Sequence, residues 1–225
     1  MSALQAVHAN DWSTSVGWVS DYRVRGLSIS NRQPAAMLDL SLRGDTGWAL
    51  GAGVAALNRD AEGRRSLRSI NLSQGWQWDA DWRFDLALAH GHYPGSGARR
   101  AYNSDEWSAT LAWRGQLNAT LLATPNATRW EALTGRPRSG EGVGVEVSGR
   151  LRLAGPVALD TGLGVFTLGT VGARRSYGYG NVGLTAAVGP VQGFLSCIGN
   201  RAEQQGFAGT QRAKAAWVAS LLWTL

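Results

Sequence analysis

From residue 12 to residue 25 the side chains alternate with a period of two. Trp12, Thr14, Val16, Trp18, Tyr22 and Val24 share one face; Ser13, Ser15, Gly17, Asp21, Arg23 and Arg25 share the other. That period is the mark of a β-strand with unlike faces. It recurs along the chain: Leu38, Leu40 and Leu42 oppose Asp39, Ser41 and Arg43, and Trp48, Leu50, Ala52 and Val54 oppose Ala49, Gly51 and Gly53. Ile70, Leu72, Trp76 and Trp78 oppose Ser69, Asn71 and Ser73, and Trp82, Phe84, Leu86 and Leu88 oppose Arg83, Asp85 and Ala87. Trp107, Ala109, Leu111 and Trp113 oppose Glu106, Ser108, Thr110 and Arg114. Val143, Val145, Val147, Leu151 and Leu153 oppose Gly144, Glu146, Ser148, Arg150 and Arg152, and Val157, Leu159, Leu163 and Val165 oppose Asp160, Gly162 and Gly164. Segments 117–124, 177–188 and 191–199 are weaker, with ambiguous facing, and 213–225 closes the chain with Trp217, Ala219, Leu221, Trp223 and Leu225 on one face.

The pattern predicts about twelve strands, each near the length a tilted membrane strand needs. The connections alternate as well. Long ones at 27–34, 59–66, 94–101, 125–141, 171–176 and 200–212 are interleaved with tight turns at 44–46, 79–81, 115–116, 154–156 and 189–190. Long external loops and short periplasmic turns follow each other in this way in outer-membrane barrels. The expected fold is all-β: a transmembrane, antiparallel, up-and-down β-barrel forming one domain over 1–225, with 1–11 as a periplasmic lead-in.

A soluble sandwich or lipocalin-like barrel would show the same alternation with the apolar face as its core. Three features favour the membrane. The polar faces are rich in Gly, Ala and Ser, which suits a crowded interior. Trp12, Trp48, Trp78, Trp82, Trp113 and Trp223 collect at strand ends beside the short turns, as an aromatic girdle does. The chain also ends on an alternating apolar strand like the signal read by the barrel-assembly machinery, with Leu225 where an aromatic is more usual. Thirty glycines and eleven tryptophans agree with this reading.

The run Ser20-Asp21-Tyr22-Arg23-Val24-Arg25-Gly26, placed at the end of the first strand, resembles the signature of the TorF porin family of proteobacterial outer-membrane proteins. That signature usually carries Phe where Val24 stands. The resemblance implies outer-membrane residence in a Gram-negative bacterium, a signal-bearing precursor and a channel, but no particular solute. The start Met1-Ser2-Ala3-Leu4-Gln5 has neither a basic leader nor an apolar core, so the chain reads as a mature form with an added Met1.

Net charge is +6, and Lys214 is the only lysine beside twenty-one arginines. Position decides what this charge means. The lumen-facing set joins Arg23, Arg25, Arg43, Arg83, Arg114, Arg150 and Arg152 with Asp21, Asp39, Asp85, Glu106, Glu146 and Asp160. Two readings stay open: a charged constriction that screens solutes, or cross-strand Arg–carboxylate ladders that fill the interior. Asp21, Arg23 and Arg25 are the leading candidates for the lumen site. Most other arginines lie in the long connections. Arg64, Arg65, Arg99, Arg100, Arg174 and Arg175 are assigned to loops facing the lipopolysaccharide leaflet, whose phosphates guanidinium groups pair well with.

Nucleic-acid binding is excluded by the lack of a basic platform with stacking aromatics. The lone Cys197 excludes an internal disulfide. No cofactor and no metal is implied. Channel function with small solutes is expected; the alternatives are a closed structural or partner-binding barrel, and a lipid hydrolase built on His90, His92 and Ser96. The channel reading makes the chain no enzyme. Trp130 and Leu133 offer apolar anchors that could draw segment 125–141 inward as a constriction.

Overall fold

The alternating segments become strands, and their polar faces close on one another. The structure, a computed structural model, describes residues 11–60, 63–92, 104–131, 136–170, 173–201 and 214–225. In chain order the strands are β1 (Asp11–Val19), β2 (Arg23–Val24), β3 (Leu27–Ser28), β4 (Ala35–Arg43), β5 (Trp48–Asp60), β6 (Gly63–Gln77) and β7 (Trp82–His92). They continue with β8 (Ser104–Trp113), β9 (Leu117–Glu131), β10 (Arg136–Ala154), β11 (Val157–Thr170), β12 (Ala173–Val188), β13 (Val191–Asn200) and β14 (Ala216–Thr224). Twelve of them, β1 and β4 to β14, form one closed antiparallel barrel; β2 and β3 form a separate two-stranded hairpin. Closure is made by β1, which pairs with β4 on one side and with β14 on the other. Twelve strands at ~4.8 Å spacing and ~40° tilt give a bore of about 24 Å between facing backbones.

Register fixes the two faces. On β5 and β6, Leu50 faces Leu72 and Ala52 faces Ile70 outward, while Gly51 faces Asn71 and Gly53 faces Ser69 inward. The outward set is apolar and bare: Ile70, Leu72, Leu121, Val143, Leu163 and Trp217 are each at least half exposed. A soluble barrel cannot leave so much aliphatic surface in water. Counting ~9–11 residues from the short turns reaches the far edge of a bilayer. There the outward-facing residues become polar: Arg68 on β6, His90 and His92 on β7, Asp105 on β8, Thr167 on β11 and Ser176 on β12. Trp18, Trp107 and Trp217 stand just inside that edge, and Trp12, Trp78, Trp82 and Trp223 hold the other, short-turn edge. Trp82 packs on its cross-strand partner Trp113 at 6.5 Å between ring centroids. Trp48 is half-buried because its indole lies over Gly44.

The strand ends differ from the sequence reading. Segments 59–66, 125–141 and 171–176, expected as loops, are mostly strand: Asp60 pairs with Gly63, Glu131 with Arg136, and Thr170 with Ala173. Their sequences carry no apolar period to betray them. The first strand is shorter than expected. It stops at Val19 rather than Arg25, and the chain then turns into the barrel. Residues 1–10 of the lead-in lie outside the described residues, and Asp11 already belongs to β1.

The membrane placement has a direct energetic consequence. Leu72→Arg, at mid-span on the outward face of β6, is expected to cost about 2–4 kcal/mol in guanidinium unfolding from lipid vesicles. A loss below ~0.5 kcal/mol would place that face away from hydrocarbon.

Candidate pore constriction

After Val19 the chain leaves the wall because Ser20 closes the seam. The Ser20 backbone N–H donates to Ala219, and the Ser20 hydroxyl accepts from the Ala219 N–H at 3.0 Å. The next residues build the β2–β3 hairpin, with Arg23 opposite Ser28 and Val24 opposite Leu27. Two residues connect the strands, Arg25 (φ 49°) and Gly26 (φ 76°), both left-handed as a type I′ turn requires. Glycine suits its place for a second reason: a Cβ on Gly26 would come within 2.9 Å of the Gly199 carbonyl oxygen. Arginine is an unfavourable choice at the first position, costing about 1–2 kcal/mol, so its side-chain contacts must hold it there.

Asp21 is the hub of the hairpin base. It is 5% exposed, and its carboxylate accepts from the Ser28 hydroxyl at 2.5 Å, the Ser30 hydroxyl at 3.2 Å and Arg23 Nε at 2.6 Å. The Arg23 side chain is 1% exposed and donates in turn to the carbonyls of Gly26 at 3.0 Å and Lys214 at 2.9 Å. Buried charge on both partners is offset by their pairing and by these bonds, which leave Arg23 Nη2 as the one buried guanidinium nitrogen of the pair without a partner among the described residues. Tyr22 turns inward onto Val19, Ala35, Ala55, Leu57 and Val218; the sequence reading had it on the lipid face with Trp18. Burial first, and then the neighbouring Asp39 carboxylate, push the Tyr22 phenol above its ordinary value.

At the hairpin tip the Gly26 carbonyl accepts from Asn200 Nδ2 on β13 at 2.7 Å, and the Arg25 side chain reaches on to the opposite wall. Arg25 donates to Glu106 on β8, lies 3.9 Å from the Glu146 carboxylate on β10, and sits 4.6 Å from the Phe166 ring centroid on β11. Burial opposes the charge on Arg25, but the charge and hydrogen bond of Glu106 outweigh it and raise the guanidinium above its ordinary value. Tyr179 on β12 donates to Glu146, and Leu27 packs with Leu122, Phe166, Leu168 and Tyr177. Glycine makes room for this cluster: Phe166 occupies the space beside Gly142 and Gly144, and Tyr179 that beside Gly164. Around the barrel, β9 is six strands from β1 in either direction, and Glu106 and Glu146 flank it. The hairpin, held against β13, and its Arg25 side chain together extend across the bore to the wall facing β1.

Register gives the positions of the other candidates. Arg150 and Asp160 are cross-strand partners bonded at 2.6 Å, with Thr185 also donating to Asp160. Arg83 and Asp85 bond within β7 at 2.7 Å. Asp39, Arg43 and Arg152 are on lumen-facing positions, Arg43 beside Asp11 in register. Arg114 is the exception. It occupies a left-handed turn position (φ 53°) ahead of Gly115, which carries its side chain off the wall to Asp81 at 2.9 Å and over Trp113.

Among the loop arginines, Arg64 and Arg65 belong to the backbone of β6 and Arg174 and Arg175 to β12. The side chains of Arg64 and Arg65, and the whole of Arg99 and Arg100, lie outside the described residues, as do Ser96, Leu133 and the Trp130 side chain. Arg174 faces outward, whereas Arg175 takes the lumen-facing position next to it, opposite Leu168. His90 faces outward and its Nδ1 is 2.6 Å from Asp105, its cross-strand partner. His92 is in register with Arg68 on the same outer surface. Sequence reasoning passed over Phe166, Tyr177 and Tyr179, which lie in the segments whose facing it left ambiguous or assigned only in part.

If Asp21 organises the hairpin, Asp21→Ala strands a buried guanidinium. The Tyr22, Ile29 and Arg32 amides, all bonded within the hairpin, should then exchange hydrogen at least ~100-fold faster by mass spectrometry while β5–β8 stay protected. Unchanged protection would deny Asp21 that role.

Solved structures of similar fold include outer-membrane porins. The NanC porin matches with a TM-score of 0.60 at 10% identity, over 95% of this chain and 98% of that one. The KdgM porin matches with 0.56 at 10% identity, over 94% and 98%. A KdgM porin in complex with disordered oligogalacturonate gives 0.54 at 9% identity, again over 94% and 98%. At that identity the likeness concerns the fold, a closed twelve-stranded antiparallel barrel of the outer-membrane porin type, which implies the bacterial outer membrane. No curated protein matches the chain. The family model described as a bacterial protein of unknown function (Gcw_chp) matches residues 4–224, nearly the whole length, and the chain belongs to that family.

Proposed function

We propose that this protein is an outer-membrane channel for passive diffusion of small solutes, and that the β2–β3 hairpin is its constriction. The observation that carries the reading is the chord drawn by Arg25 across the bore to Glu106 and Glu146. A twelve-stranded barrel left empty would pass solutes with little discrimination; a hairpin across it leaves narrow passages lined by fixed charge. Below the hairpin, toward the short turns, Arg43, Arg83, Arg150 and Arg152 line the wall with Asp11, Asp85 and Asp160. Screening is then by size at the hairpin and by charge along the wall. The resemblance to the TorF porins and the oligogalacturonate held by KdgM support small solutes as the class transported.

A second reading is a closed structural or partner-binding barrel, favoured by the same hairpin because it fills so much of the lumen. No catalytic role enters either reading. The outward His90–Asp105 pair lies at the headgroup edge, and the channel account expects no lipid turnover by the folded protein.

Single-channel recording in planar bilayers separates the readings. The channel account expects discrete steps from the wild type. In Arg25→Ala two glutamates lose their cation, so the steps should be larger and the reversal potential in a salt gradient displaced toward cations. A silent wild type with the folded, heat-modifiable gel band would decide for the closed barrel.

A further inference from the structure

We propose that the outer wall at β10–β14 carries a binding site for one lipid of the outer leaflet, the lipid A part of lipopolysaccharide, with acyl chains in a groove and phosphate on Arg174 and Arg201. The assignment rests on the outer-membrane orientation argued above. Along most of the wall the outward positions are filled by Leu, Val, Ile and Trp. Here three outward positions on two adjacent strands have no side chain: Gly178 and Gly180 on β12, and Gly199 on β13, in register with Gly180. They floor a groove of about 990 Å³, at the upper end of the range for ligand pockets. One bank is the aliphatic ridge of Val145, Val147, Leu163 and Val165, and Ala215 ahead of β14 is on the other.

Glycine on a lipid-facing strand gives up both strand propensity and contact with hydrocarbon. Without an occupant, bulk lipid would have to fill an irregular trough. Gly178 is the open part of the floor, since a Cβ there would meet only the Gly164 carbonyl oxygen, at 3.8 Å, whereas at Gly180 the Gly162 carbonyl oxygen, 2.9 Å from a Cβ, requires glycine by itself. The groove is apolar along its length and ends, on the long-loop side, in Arg201. Arg174 stands outward farther along β12, beyond Ser176, whose hydroxyl bonds to Thr167. Both arginines are exposed, and among the described residues neither forms an ion pair; Glu141, in register across Gly169, makes none with Arg174. An apolar trough capped by two uncommitted guanidinium groups at the headgroup level is complementary to a phosphorylated, several-chained lipid.

The test is native mass spectrometry of the full-length barrel released from detergent, titrated with purified lipid A. Folding of every variant is read independently from heat-modifiable gel migration. A one-to-one adduct is expected for the wild type. Arg174→Gln/Arg201→Gln should weaken it at least roughly ten-fold, as lost charge-assisted bonds to phosphate do. Gly178→Leu, which fills the floor without touching a charge, should also weaken it. Dephosphorylated lipid A should bind the wild type as poorly as lipid A binds the double variant. Equal binding by wild type and both variants would overturn the proposal. So would a wild-type dimer that Gly178→Leu dissociates while lipid binding is unchanged, because the groove would then be a face between copies. Conductance, measured separately, tests the channel reading and does not depend on either result.

Discussion

In hydrocarbon an unpaired backbone N–H or C=O has no water to turn to, and each costs several kcal/mol. For this chain that requirement is met at the seam between β1 and β14, where Ser15–Val19 pair with Ser220–Thr224. The Ser20 and Leu225 amides extend the seam at either end by donating to Ala219 and Thr14. Once the seam is closed, nothing further about the wall is free. Every wall strand has two neighbours and every second side chain points inward; the inward set joins charged pairs with the two apolar clusters on which the hairpin packs. The lumen is what remains after lipid has taken the other face.

Charged groups inside a barrel about 24 Å across between facing backbones bring their own difficulty. Charged side chains there are partly removed from water and must find partners, or lose hydration without return. The Arg150–Asp160 and Arg83–Asp85 pairs answer this within the wall. The hairpin answers it across the bore. Its base is held by Asp21 and Arg23, whose mutual bond is completed by two serines and by backbone carbonyls from distant segments. Its tip is held by Arg25, whose left-handed turn position is made tolerable by two glutamates and an aromatic ring. Stability and function thus meet in one segment: the contacts that let the interior pack are the contacts that narrow the passage.

Much of the wall was legible because lipid is an unforgiving solvent. Strands such as β7, with Trp82, Phe84, Leu86 and Leu88 against Arg83, Asp85 and Ala87, carry the period of two without interruption. Where the solvent changes, the signal fades. The upper reaches of β9 and β10 have no apolar alternation in their sequence, so 125–141 reads as a loop although it is largely paired strand. The hairpin was hidden for the opposite reason. Tyr22, Val24 and their arginine neighbours continue the alternation of β1, and only Gly26 and the nearby Ser28 and Ser30 signalled a turn with a carboxylate to satisfy. The residues Asp21, Arg23 and Arg25 were singled out, but as wall residues rather than as a chord. Arg114 was misplaced because a two-residue I′ turn interrupts the period one position earlier than the sequence shows.

A hairpin that narrows the channel must lie in the conduction path. Replacing Tyr22–Asn31 by a short Gly-Ser link, in a chain otherwise intact, leaves the twelve-stranded wall and removes the chord. Single-channel recording of that variant should show a large, steady rise in conductance over the wild type and weakened discrimination between small and large ions. Conductance equal to that of the wild type would mean that the passage, and whatever narrows it, lies elsewhere.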